Sequence, residues 1–341
     1  MMRLPRFHFR SPRTIAEAAA WLAEAPAETM LLGGGTDLIP NMKRRQQTPK
    51  TVIALRQIDE LTRVSNGAGL RMGASVTLSA LVEDARVRAA APGLWQAAAQ
   101  VATPHLRNMG TIGGNLCLDT RCTYYDQSEE WRRAIGYCMK KDGAICWVAT
   151  SSPRCLAVSS TDTAPMLQAL GARVRLVSAS GERTIDVADL YANDGMHYLR
   201  RRPDEILTEI AVPDQTGWRS TYWKLRRRGS FDFPVASAAV AVRLDGPRVA
   251  EARLVLGAVA SQPMASPRAV AVLAGQPLDD EVIAAAADAS YDVAKPMDNT
   301  DFELVWRKKV VRALVTAALR ELRGDAPDGP RKFSYFDPSR M

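Results

Sequence analysis

Leu31-Leu32-Gly33-Gly34-Gly35-Thr36-Asp37-Leu38 and, further along, Arg107-Asn108-Met109-Gly110-Thr111-Ile112-Gly113-Gly114-Asn115 decide how this chain is read. Consecutive glycines let backbone N–H groups converge on phosphate oxygens without side-chain obstruction, and the second run adds hydroxyl and amide donors. Neither is a usual nucleotide fingerprint. Gly33 and Gly35 would need a glycine where Leu38 stands to complete G-x-G-x-x-G, and no lysine is placed to make a P-loop. Either run alone reads as a tight turn. Together they read as the two sides of a dinucleotide site.

Around these runs the pattern is mixed α and β. Thr14 with Glu17 forms a capping box that opens a helix with Ile15, Ala18, Ala19 and Leu22 on its apolar face. Strands are expected at 29–32, 51–55 and 70–74, and helices after the N-cap Thr77 and at 94–101. Residues 119–159 show no sustained period and read as an inserted irregular loop, which a compact domain tolerates when a metal replaces the missing core. Regular structure returns with a short helix at 164–170 and strands at 174–177 and 206–212. A boundary at 213–217 precedes strands at 221–226, 236–244 and 249–259 and helices at 280–294 and 302–322. The expectation is an α+β chain with 217–325 as a C-terminal domain and 326–341 as a tail.

With 341 residues and 47% hydrophobic content, the chain has ample material for several cores. Residues 1–13 carry no signal-like apolar run and no stretch approaches a membrane span, so a soluble, cytoplasmic protein with no membrane association is expected. The net charge of +8 includes clusters at Arg200 to Arg202 and Arg226 to Arg228. No zinc-finger spacing, RNP-like motif or basic helix accompanies it, so it reads as a solvated face or a dock for an acidic partner, with no nucleic acid bound. His8, His105 and His197 form no recognisable site, and no catalytic residue is assigned.

The five cysteines all fall between Cys117 and Cys155. Such clustering, in a chain expected to stay in a reducing compartment, argues for a metal site over disulfides. The spacing of Cys122, Cys138, Cys146 and Cys155 matches neither a bacterial ferredoxin run nor a zinc ribbon. A zinc ion and a cubane cluster both remain open on the cysteines alone.

The paired glycine runs resemble the flavoprotein subunits of the molybdenum hydroxylases, the group that includes xanthine dehydrogenase and carbon monoxide dehydrogenase. Further matches are Asp162-Thr163-Ala164-Pro165, the segment Glu205 to Ile210, Tyr222 with Lys224, Asp232-Phe233-Pro234, Leu256-Gly257-Ala258-Val259-Ala260 and Trp306-Arg307. The resemblance covers nearly the whole chain. It implies a two-subdomain FAD-binding region of the molybdopterin dehydrogenase type, residues 1–56 and 57–216, followed by a smaller α+β C-terminal domain. It also implies FAD phosphate and ribitol contacts from Leu32, Gly33, Gly34, Gly35, Thr36, Asp37, Thr111, Gly114 and Asn115. Asp119, Asp162 and Lys224 should then lie closer to the flavin or the adenosine. A cation at Lys224 near the flavin pyrimidine edge would stabilise the reduced anion, whereas an exposed strand lysine is the plain alternative.

The insert is similar to that of the beta subunits of 4-hydroxybenzoyl-CoA reductases through Asp119-Thr120-Arg121-Cys122-Thr123-Tyr124-Tyr125, Trp131-Arg132 and Gly136-Tyr137-Cys138. That likeness implies a 4Fe-4S cluster. Cys117 corresponds to a glycine-loop residue in such relatives, so it is assigned as a buried non-ligand and the ligands as Cys122, Cys138, Cys146 and Cys155. The implied complex adds a small subunit with two-iron clusters and a large molybdenum-cofactor subunit, as a dimer of heterotrimers with ferredoxin as electron donor. The alternatives are the flavoprotein subunit of a hydroxylating dehydrogenase and, in another class, a zinc-stabilised basic binding protein.

Overall fold

A computed structural model describes residues 3–325, and the expected tail at 326–341 lies outside them. The first sheet is parallel and joins β1 (His8–Arg10), β2 (Thr29–Leu32) and β3 (Thr51–Ala54) in the order β1-β3-β2. Parallel neighbours need a crossover, and helix Ile15–Glu24 lies between β1 and β2, burying Ala18, Ala19 and Leu22. The Thr14 hydroxyl accepts from Glu17 N at 3.1 Å as the capping box requires. The Glu17 carboxylate, however, accepts from Arg13 N, one residue earlier than expected.

The second sheet is antiparallel and comprises β4 (Val64–Gly67), β5 (Gly69–Gly73), β6 (Arg173–Ser178), β7 (Gly181–Asp186) and β8 (Ile206–Val212), ordered β4-β5-β8-β6-β7. Because β8 pairs with both β5 and β6, the long segment between those two strands projects from the sheet. It carries the second glycine run and the cysteines. The third sheet, β9 (Trp218–Leu225), β10 (Ala236–Asp245), β11 (Arg248–Gly257) and β12 (Met264–Ala265), is also antiparallel, in the order β12-β11-β10-β9.

Strand β10 shows why its sequence is apolar on both faces. Successive side chains of a strand point oppositely. Ala239 and Ala241 enter the core shared with the second sheet, while Ala238, Val240 and Val242 join the core under helices Asp280–Val293 and Leu304–Arg323. The fold is thus α+β, as expected. Two segments in which no helix is expected contain short helices: Ile112–Leu116, capped by the Thr111 hydroxyl, and Glu129–Ala134 in the insert, capped by Ser128. Each is too short to display a helical period. Among the described residues no helix is long and apolar enough to cross a membrane.

Candidate functional site

The two glycine runs touch. A methyl group on Gly34 would come within 1.7 Å of the Met109 carbonyl oxygen, and one on Gly33 within 2.7 Å of the Thr111 hydroxyl. At Gly34 glycine is required by close approach of backbone to backbone, and at Gly33 the crowding comes from the Thr111 side chain. Among the described residues the N–H groups of Gly34, Gly35 and Thr36 reach no protein acceptor, and all three residues line a cleft of about 660 Å³. Unpaired N–H groups of this kind are the donors a phosphate needs. Phe231, Phe233 and Asn299 close the cleft from the C-terminal side.

Every expected cofactor-binding residue lines this cleft except Lys224. Several of them also hold the walls together. Asp37 accepts from the Arg121 guanidinium and from Asp119 N. The amide oxygen of Asn115 accepts from the Thr161 hydroxyl at 2.8 Å, the Thr163 hydroxyl at 2.6 Å and Thr163 N at 3.1 Å, fastening the second run to the start of helix Thr163–Ala169.

Lys224 contradicts the plain alternative. It is neither an exposed strand lysine nor a wall of the cleft, for its side chain is 0% exposed and its ammonium lies 3.0 Å from Asp162 Oδ2. It also donates to Gln100 O. The Tyr222 hydroxyl donates to the other carboxylate oxygen at 2.8 Å. Burial raises the pKa of Asp162 and lowers that of Lys224, while their mutual attraction opposes both shifts. Lys224 therefore stands behind Asp162, holding a carboxylate that does line the cleft.

The cysteine insert closes on itself. Cys122, Cys138, Cys146 and Cys155 are buried around one small cavity walled by Tyr124, Tyr125, Trp147 and Ala157. Cys117 is away from it, half-buried on the cleft wall. Burial pushes the Cys122 thiol up to about 12 and the Cys155 thiol up to about 11, the latter partly opposed by the charge of Lys140. Among the described residues no three or more His, Cys, Asp or Glu side chains form a group that could hold a metal ion. Cys122 lines the thiol cavity and the cleft alike, so the two sites share a wall.

Other residues of that wall carry no signal in the sequence. Tyr198 lines the cleft because Gly195 docks on the insert, its N–H donating to Cys155 O at 2.8 Å. Lys140, a surface-type residue by composition, is buried between the two sites and donates to Asp119 at 2.8 Å. Only long-range pairing brings these groups together.

Comparison with known proteins agrees with this geometry. Residues 5–215 match the FAD binding domain in molybdopterin dehydrogenase, and residues 220–322 match the CO dehydrogenase flavoprotein C-terminal domain. The carbon monoxide dehydrogenase medium chain of Afipia carboxidovorans is 27% identical, over 94% of this chain and 98% of its own. The aldehyde oxidoreductase FAD-binding subunit PaoB of Escherichia coli is 29% identical, over 92% and 98%. A reconstituted CO dehydrogenase from Oligotropha carboxidovorans superposes with a TM-score of 0.79 at 27% identity, covering 95% of this chain and all of the matched one. With both halves of the chain matched and the cleft built from the two glycine runs, the chain belongs to the FAD-binding, medium-subunit oxidoreductases of the molybdopterin dehydrogenase family.

Proposed function

We propose that this chain holds FAD in the cleft and a 4Fe-4S cluster on Cys122, Cys138, Cys146 and Cys155, as the electron-transfer subunit of a three-component molybdenum enzyme. The observation that carries the proposal is the wall shared through Cys122 by a dinucleotide-sized cleft and a cavity ringed by four buried thiols. Four cysteines suit zinc and a cubane cluster alike, and a flavin beside them has use for a one-electron centre and none for a redox-silent ion. Membership of an oxidoreductase family sets aside the redox-silent binding protein.

When bound, FAD supplies a centre that exchanges one or two electrons and the cluster one that exchanges single electrons. The chain's own part is to bind and shield them. Gly34, Gly35 and Thr36 offer N–H groups to the pyrophosphate, Asp162 is presented from behind by Lys224, and the insert walls its thiols from water with Tyr124, Tyr125 and Trp147. The medium chains and subunits among the relatives belong to multi-subunit enzymes, so a large molybdenum-cofactor subunit and a small two-iron subunit are the proposed partners.

The insert favours a reductive role. A complex that only oxidises its substrate can discharge electrons from FAD, so an added one-electron centre provides a separate port for a low-potential donor such as ferredoxin. The proposed reaction is removal of the ring hydroxyl from 4-hydroxybenzoyl-CoA. The second reading, a hydroxylating dehydrogenase, is favoured by the names of the relatives, which include carbon monoxide dehydrogenases and a nicotine 6-hydroxylase. Turnover of the whole complex with reduced ferredoxin or viologen and 4-hydroxybenzoyl-CoA, set against hydroxylation of aromatic or heterocyclic substrates, decides between them. Hydroxylation alone would establish the second.

A further inference from the structure

Lys140 belongs to the insert, two residues beyond Cys138, yet its side chain is only 5% exposed. Its ammonium donates to Asp119 Oδ1 at 2.8 Å, to the Thr120 hydroxyl at 2.7 Å and to Gly195 O at 2.7 Å. It also stands 4.9 Å from the ring centroid of Tyr125 and 5.3 Å from that of Tyr198. A buried ion pair is expensive to desolvate and is tolerated only when its hydrogen bonds are met. Here each of the three ammonium protons has an acceptor, and two aromatic faces add to the attraction. The pair is held where it is at some cost to the fold.

Its location gives the reason. Lys140 and Tyr125 line the thiol cavity, while Asp119 and Tyr198 line the cleft. The ion pair thus spans the wall between the two sites, with the cation on the thiol side and the carboxylate toward the cleft.

We infer that Lys140 is a positioning residue whose fixed charge, balanced by Asp119, sets the reduction potential of the cluster. This rests on the reading of the four cysteines as cluster ligands. A cluster held there would take single electrons from an external low-potential donor, with no bond made or broken and no proton required, and each such reduction would add one negative charge to the thiol cavity. A desolvated cation beside it stabilises the reduced form more than the oxidised one, and an anion does the reverse. Removing the cation and removing the anion must therefore move the potential in opposite directions. A purely structural knot would not behave so.

The test uses the intact complex carrying Lys140→Met, Lys140→Arg or Asp119→Asn, with redox titration of the cluster followed by electron paramagnetic resonance after iron and sulfide have been measured. At a fixed ambient potential Lys140→Met should lower the ratio of reduced to oxidised cluster about tenfold, equivalent to about 59 mV for a one-electron centre. Lys140→Arg should restore most of that ratio, and Asp119→Asn should raise it above wild type. Unchanged potentials in Lys140→Met and Asp119→Asn, or shifts of the same sign in both, overturn the inference. If Lys140→Met loses the cluster, Asp119→Asn decides, and a ratio at or below wild type overturns it. Wild-type complex with no such cluster signal would instead refute the ligand assignment itself.

Discussion

Gly34 lies against the carbonyl of Met109 so closely that the smallest side chain would sit 1.7 Å from its oxygen. This contact joins the two glycine runs into one floor. Gly34→Ala should force them apart, at a cost of about 1–3 kcal/mol typical of overpacking, and should weaken flavin retention more than tenfold. Flavin stoichiometry after gel filtration, with circular dichroism as a check on folding, measures this. A folded Gly34→Ala protein with full flavin would contradict the contact's role.

Cys122, Cys138, Cys146 and Cys155 ring one cavity and Cys117 does not. Serine at any of the four should remove about four irons per chain from the complex, since a cubane takes four cysteine ligands. Cys117→Ser should leave iron unchanged. Equal loss from all five variants would point to general unfolding instead of ligation.

Asp162 and Lys224 form an ion pair with side-chain exposures of 3% and 0%. Lys224→Met would strand a buried carboxylate, and breaking one partner of such a pair costs about 3–5 kcal/mol. The double variant Asp162→Asn with Lys224→Met should recover much of that loss. Denaturant unfolding of Lys224→Met, Asp162→Asn and the double variant shows whether the two effects couple. Simple addition would mean that the pair is not the source of the stability.

Glu205 gives a pH dependence. Burial opposes its charge, but hydrogen bonds from the Arg183 side chain and Arg202 N, with the positive charge of both arginines, hold its pKa below the ordinary value of about 4.5. Its folded pKa is thus lower than its unfolded one, so its contribution is fully present above the unfolded value and is lost as pH falls through the folded value. Wild type should exceed Glu205→Gln by about 1–3 kcal/mol at neutral pH, with the gap closing in acid. Melting curves at both pH values check this, and a gap that widens in acid would reverse the assigned sign.

What the sequence made legible follows from the range of the forces involved. The glycine runs and cysteines stand out locally, and their joint meaning needed only that they come together. The reason for Gly34 was hidden, because its constraint is Met109, far along the chain. Lys224 was expected near the flavin or the adenosine from the family resemblance alone, and its partner Asp162, far away in the sequence, could not be read from its own strand. Lys140 and Tyr198 were illegible, since their burial depends on Gly195 docking against the insert.

The most direct test is the cofactor content of this chain, measured as FAD, iron, acid-labile sulfide and zinc on the same purified sample. The account requires one FAD with about four irons and about four sulfides per chain. Stoichiometric zinc without sulfide, or FAD with no iron, would contradict it.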